Sequence, residues 1–83
     1  MRLYITAKAQ RDLGRLPNKL GIKLNAEIVK LAVNPFLVNS KKLRGWDDTY
    51  RIRVGDYRVI YEINKDTQKL VITKIKHRKD VYR

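Results

Sequence analysis

The sequence contains no cysteine, so neither a disulfide frame nor a thiolate metal site holds this chain together. It has a single histidine, His77, which excludes paired His ligands. Its eight carboxylates are scattered, with Asp47-Asp48 the one adjacent pair. No Gly-rich phosphate loop and no Ser-based triad is present. The expected chemistry therefore runs without a metal, and no cofactor is expected. No apolar run approaches the roughly 20 residues that cross a membrane. Met1-Arg2-Leu3-Tyr4-Ile5 is soon followed by Lys8, Arg11 and Asp12, unlike a signal peptide. These absences fit a protein of the reducing cytoplasm with no membrane partner. At 83 residues the chain is expected to be one domain, 1–83, with a thin core.

Acidic residues are scarce, and that scarcity is the loudest signal. Twenty Lys and Arg stand against eight Asp and Glu, for a net charge of +12. Such a surface repels itself and is drawn to polyanions. Nucleic acid is the commonest partner of a small basic domain. A membrane surface wants a basic amphipathic helix, whereas the helical segments here mix charge signs. An acidic partner protein that neutralises the charge is the remaining reading.

Arg2–Ile5 predicts a short first strand, and Thr6 an N-cap whose hydroxyl accepts from an unpaired amide. Ala9, Leu13 and Leu16 recur at helical spacing until Pro17. Asn18 is expected to cap a second, longer helix, in which Leu20, Leu24, Ile28 and Leu31 form one apolar stripe. Asn34-Pro35 ends it. A short joint at Leu16–Lys19 predicts an antiparallel helical hairpin. Phe36 to Trp46 reads as a loop.

From Tyr50 the period changes to two. Tyr50, Ile52 and Val54 alternate with Arg51 and Arg53, Gly55-Asp56 predicts a tight turn, and Tyr57, Val59, Tyr61 and Ile63 resume the alternation. A second turn at Asn64–Thr67 precedes a strand at Lys69–Ile75. The expected fold class is α+β: an N-terminal strand and a two-helix hairpin packed on an antiparallel sheet of about four strands.

If Ile52, Val54, Val59, Tyr61 and Ile63 face the helices, then Arg51, Arg53 and Arg58 share the open face. A surface charge is usually only solvated. Arginine at all three positions argues for more, because a planar guanidinium suits bidentate phosphate contact. The last strand leaves two registers open. With Val71, Thr73 and Ile75 inward, Lys74, Lys76 and Arg78 join the arginines. With Leu70 and Ile72 inward, His77 joins them, and a bulge near the strand end delivers both. His77 is the only side chain whose ordinary pKa lies near neutrality, so it is a candidate proton-transfer group as well as an ordinary surface residue. Tyr82, penultimate in the chain, reads as a packing anchor or a site residue.

Lys42-Leu43-Arg44-Gly45, then Tyr50-Arg51-Ile52-Arg53-Val54-Gly55-Asp56-Tyr57-Arg58-Val59-Ile60-Tyr61, then His77-Arg78-Lys79-Asp80-Val81-Tyr82 resemble the RelE branch of the RelE/ParE toxin superfamily. Ala9, Leu13, Leu16-Pro17 and Asn34-Pro35 extend the resemblance over nearly the whole chain. It implies a microbial-RNase-like fold and a ribosome-dependent mRNA endoribonuclease that cleaves codons in the A site. A ribose 2′-hydroxyl attacks the adjacent phosphate, leaving a 2′,3′-cyclic phosphate and a free 5′-hydroxyl.

The resemblance further implies that Arg58 stabilises the phosphorane and that Tyr82 stacks on a base or helps proton transfer. Arg51 and Arg53 stand where well-known members have lysines. Arginine stays charged, so here these two act electrostatically only. Lys76, His77 and Arg78 stand where members place an arginine or a His-Arg pair, which makes His77 a proton-transfer candidate and Arg78 a phosphate contact or a brace. Lys74 adds phosphate-binding charge. No carboxylate is assigned to the site. The implied partners are the ribosome with its mRNA and a cognate RelB-like antitoxin, through which alone operator DNA is contacted. Two rivals share these residues: a ParE-like poison of DNA gyrase, and a degenerate toxin that only binds its antitoxin.

Overall fold

Thr6 turns the chain from strand into helix. Its backbone is extended (φ −64, ψ 158), and its hydroxyl accepts the Ala9 amide at 3.1 Å. The computed structural model describes residues 1–35, 41–42 (backbone only) and 48–79. In chain order its elements are β1 (Arg2–Ile5), α1 (Ala7–Gly14), α2 (Asn18–Val33), β2 (Lys41–Lys42), β3 (Thr49–Val54), β4 (Tyr57–Asn64) and β5 (Lys69–His77).

Helix α1 stops at Gly14, short of Pro17, as the Arg15 and Leu16 amides tighten onto the Asp12 and Leu13 carbonyls at 3.3 and 3.1 Å. The expected Asn18 cap does not form. Pro17 holds the cap position (φ −56, ψ 147) without a side-chain bond, and its carbonyl accepts the Gly21 amide at 2.9 Å. The ring has already set that backbone, so Asn18 becomes the first helical residue. Leu24, Ile28 and Leu31 of α2 are fully buried, with Leu20 half-buried at the end of the stripe. Among the described residues no helix is long and apolar enough to cross a membrane.

The α+β layout is as the sequence predicts, with strand order β1-β5-β4-β3-β2. The sheet is mixed rather than wholly antiparallel, because β1 joins β5 in parallel, from Arg2 opposite Lys69 to Ile5 opposite Ile72. A parallel pair needs a crossover, and the segment carrying both helices supplies it. Within the predicted loop, Lys41 and Lys42 form a brief β2 against Arg51 and Tyr50. The remainder of that loop lies outside the described residues. Gly55-Asp56 closes the β3–β4 hairpin, and Gly55 has φ +61, as the first central residue of a type II′ turn requires.

One face of the sheet carries the core. Ile52, Val54, Val59, Tyr61, Ile63, Leu70, Ile72 and Ile75 lie beneath Ala9 and the α2 stripe. Each large aliphatic residue buried here contributes about 1.5–3 kcal/mol. The buried Tyr61 ring stacks on Tyr50 at 5.8 Å, and its hydroxyl donates to the Pro35 carbonyl at 2.9 Å. No polar or charged residue is buried among the described residues.

Both registers weighed for the last strand contain part of the answer. Tyr61 pairs with Ile72 and Ile60 with Lys74, which leaves Thr73 as an extra residue in β5. Leu70 and Ile72 face the helices before this bulge, and Ile75 does so after it. The bulge lies in mid-strand rather than near the strand end, and β5 runs two residues past Ile75 to His77.

Candidate functional site

The parity of β3 and β4 settles which side chains share the open face. Ile52, Val54, Val59 and Tyr61 are buried under the helices, so Arg51, Arg53 and Arg58 project from the other side. Arg53 sits directly across from Arg58, and Arg58 directly across from Lys76. This row of three cations crosses three strands at Cα spacings of about 5 Å. One step along the sheet, Arg51 and Lys74 flank Ile60. The bulge at Thr73 puts both lysines here, since it reverses the facing of every later residue in β5.

Burial, and then crowding of like charge, leave a trace on Arg51. Partial burial first, then Arg58, then Arg53, hold its guanidinium below the usual arginine range. It still carries its charge near neutrality, so Arg51 offers hydrogen-bond donors and a field rather than a proton. An anion placed among these groups relieves their mutual repulsion and replaces lost hydration.

At the hairpin end of the sheet a concavity of about 300 Å³ is lined by Arg53, Gly55, Asp56, Tyr57, Arg58 and Arg78. Arg78 follows β5 and is fastened by its amide, which donates to the Asp56 carbonyl at 2.6 Å. Its guanidinium lies 3.9 Å from the Asp56 carboxylate. Both side chains are exposed, so this ion pair orients Arg78 and adds little stability. Asp56 is the one carboxylate at this site that sequence reading left out. Its Gly-Asp signal marks a turn and says nothing of the arginine that reaches back to it.

His77 is not brought to the cluster. Ile75 and His77 share the helix-covered side of β5, and His77 pairs with Tyr57, whose ring it meets edge-on at 5.0 Å. Its Nδ1 accepts the Lys79 amide at 3.2 Å, so the neutral ring carries its proton on Nε2. The expectation that a bulge would deliver His77 together with Lys76 fails for a geometric reason. Consecutive residues after the bulge point to opposite faces. Tyr82 lies outside the described residues. Among the described residues no group of His, Asp and Glu is placed to hold a metal ion.

An open cationic face on a small α+β fold fits many nucleic-acid proteins, and comparison with known proteins narrows the choice. Residues 3–82 match the family model of the ParE toxin of the type II toxin–antitoxin system parDE. This chain belongs to that toxin family. It is similar to Toxin RelE3 of Methanocaldococcus jannaschii, with 29% identity over 86 residues, 99% of this chain and 96% of the relative. It is also similar to Toxin RelE of Mycobacterium tuberculosis, with 36% identity over 84 residues, 95% of this chain and 82% of the relative. Among solved structures, the archaeal RelE–RelB complex from Pyrococcus horikoshii matches with TM-score 0.83 and 32% identity, covering 93% of each chain. The chain is thus a toxin of the RelE/ParE superfamily, with the family's two helices on a mixed sheet. The family match includes every residue of the cationic row and concavity, and Tyr82 as well.

Proposed function

We propose that this toxin is a ribosome-dependent mRNA endoribonuclease whose reacting surface is the open face of the sheet. The cross-strand row Arg53–Arg58–Lys76, closed at one end by Arg78, is the observation that supports this reading most. Cleavage by a neighbouring 2′-hydroxyl forms the 2′-O–P bond and breaks the P–O5′ bond. One proton leaves the 2′-oxygen and one reaches the departing 5′-oxygen. Between these events the phosphorane carries extra negative charge, and preorganised cations stabilise it.

In this scheme Arg58, between two other cations, holds the phosphorane oxygens. Arg51, Arg53 and Lys74 bind the flanking phosphates. Lys76, an amine that can part with a proton, stands directly across the β4–β5 ladder from Arg58 and serves the leaving oxygen. Arg78 contacts phosphate at the hairpin end. Tyr82 keeps the base-stacking or proton-transfer role that the resemblance implies. His77 faces the opposite side and has no part in the chemistry. The ribosome supplies what this face lacks, a substrate held with its 2′-oxygen in line with the phosphate.

The antitoxin enters by the same route. Relatives crystallise as RelE–RelB complexes, and a strongly basic toxin fits an antitoxin whose contacting segment is acidic. The rival reading, poisoning of DNA gyrase, draws on the ParE name of the matched family.

Induced expression in a bacterial host, with mapping of mRNA 5′ ends, separates the two. The nuclease reading expects new 5′ ends within translated codons, lost when translation is blocked and absent for Arg58→Ala. Growth arrest with intact mRNA and broken chromosomal DNA assigns the toxin to the gyrase branch instead.

A further inference from the structure

We propose that Asp12, on α1 and remote from the reacting face, is a positioning residue: its carboxylate fixes where the β5 bulge falls. It thereby sets the place of Lys74 across Ile60 from Arg51 and the aim of Lys76 beside Arg58. The inference rests on the open face being the reacting surface.

The bulge is where β5 loses partners on both sides. Thr73 has no residue opposite it in β4. On the other side, the parallel ladder with β1 stops at Ile72. Backbone groups left without partners in a half-buried strand cost stability, so something else satisfies them. Here the entry to α1 does so. The Thr6 amide donates to the Ile72 carbonyl at 3.0 Å, and the Thr6 hydroxyl to the Thr73 carbonyl at 3.2 Å. Two turns into the helix, the Asp12 carboxylate accepts the Ile75 amide at 3.3 Å. From the β4 side, the Thr73 hydroxyl donates to the Ile60 carbonyl at 3.2 Å. A helix stands in for the missing strand.

Of these contacts, Asp12 makes the one that bears an ionised acceptor, the stronger kind. Its side chain is only 16% exposed, and its other partner is Lys8 Nζ at 3.4 Å. Burial of Ile75 demands that one extra residue lie somewhere between Ile72 and Ile75, and hydrophobicity alone does not say which. With Thr73 extra, Lys74 pairs with Ile60 and stands on the open face, across Ile60 from Arg51. With Lys74 extra, Thr73 takes that place, and the twist leading to Lys76 changes. The Thr6 hydroxyl on the Thr73 carbonyl and the Asp12 carboxylate on the Ile75 amide bracket Lys74, and with Thr73 tied down the Asp12 bond holds the first arrangement. Sequence reading passed over Asp12 because it takes a helical position in a chain full of charged residues.

Three variants test this: Asp12→Ala removes the acceptor, Asp12→Asn keeps an acceptor without the charge, and Asp12→Glu shifts the oxygens by one methylene. In the free protein, proton NMR reads the bulge through the Ile60–Lys74 cross-strand contact and the exchange rate of the Ile75 amide. On programmed ribosomes, single-turnover cleavage reads its consequence. We expect Asp12→Ala to lose the contact, expose the Ile75 amide and slow cleavage on the order of 10- to 100-fold at saturating toxin. Asp12→Asn is expected to restore most of the rate, and Asp12→Glu to be folded yet slow. A core variant of matched or greater stability loss, Ile28→Ala, is expected to cleave at the wild-type rate once scaled to its folded fraction. The proposal is overturned if Asp12→Ala keeps the Ile60–Lys74 contact, or if Ile28→Ala slows cleavage equally. Should Asp12→Ala not fold, a wild-type rate in Asp12→Glu overturns it. If the wild-type toxin does not cleave on ribosomes, the nuclease reading fails, and the NMR contact still decides what Asp12 holds.

Discussion

The two faces of the sheet are built from alternate residues of the same strands, and they do opposite work. In β3, Ile52 and Val54 are buried under the helices while Arg51 and Arg53 look outward. In β4, Val59 and Tyr61 are buried while Arg58 looks outward. The covered face is aliphatic and aromatic and is where the stability of this small chain resides. The open face gathers arginine and lysine, repels itself, and is stabilised by whatever anion it binds. A strand with period two lets one short sequence carry both without mixing them, so changes to one face leave the other nearly intact.

The sharpest way to break this separation is a cavity in the covered face. Leu24→Ala removes a fully buried side chain, and we expect a loss of about 2–5 kcal/mol, measured by urea denaturation. Toxicity then falls because the folded fraction falls. A smaller effect of opposite sign is expected on the open face. Arg51→Gln removes the guanidinium that burial, Arg58 and Arg53 all disfavour. The melting midpoint should rise at low salt, and the gain should shrink as salt screens the neighbours. Cleavage should weaken at the same time. The smallest effect is expected at His77. His77→Ala should leave the ribosomal cleavage rate unchanged, since the ring meets Tyr57 on the covered side. A rate loss there with an unchanged unfolding midpoint would return His77 to the site.

The same comparison explains what was legible in the sequence. Alternation from Tyr50 to Ile63 placed three arginines on one face, because nothing interrupts the period there. β5 defeated this logic at Thr73. Its inward residues are Leu70 and Ile72, then Ile75, so neither parity fits the whole strand. The three-residue step between Ile72 and Ile75 is the mark a bulge leaves in a sequence. Its position depends on Thr6 and Asp12, more than 60 residues away in the chain. The parallel pairing of β1 was hidden for a similar reason, since alternation describes a strand and not its neighbour. Asn18 looked like a cap by residue type, while Pro17 took the position through its ring. Asp56 was legible as a turn residue only, because its contact with Arg78 joins the two ends of the concavity.

On the proposed reading the open face does the chemistry while the covered face does the folding. Arg58→Ala tests it most directly, with single-turnover cleavage of an mRNA codon on purified ribosomes and the unfolding midpoint measured on the same preparation. We predict a rate loss on the order of 100- to 1,000-fold, the scale of removing one preorganised donor from a developing charge, with a midpoint that does not fall. A wild-type rate would contradict the account, as would a rate loss accompanied by an equivalent loss of stability.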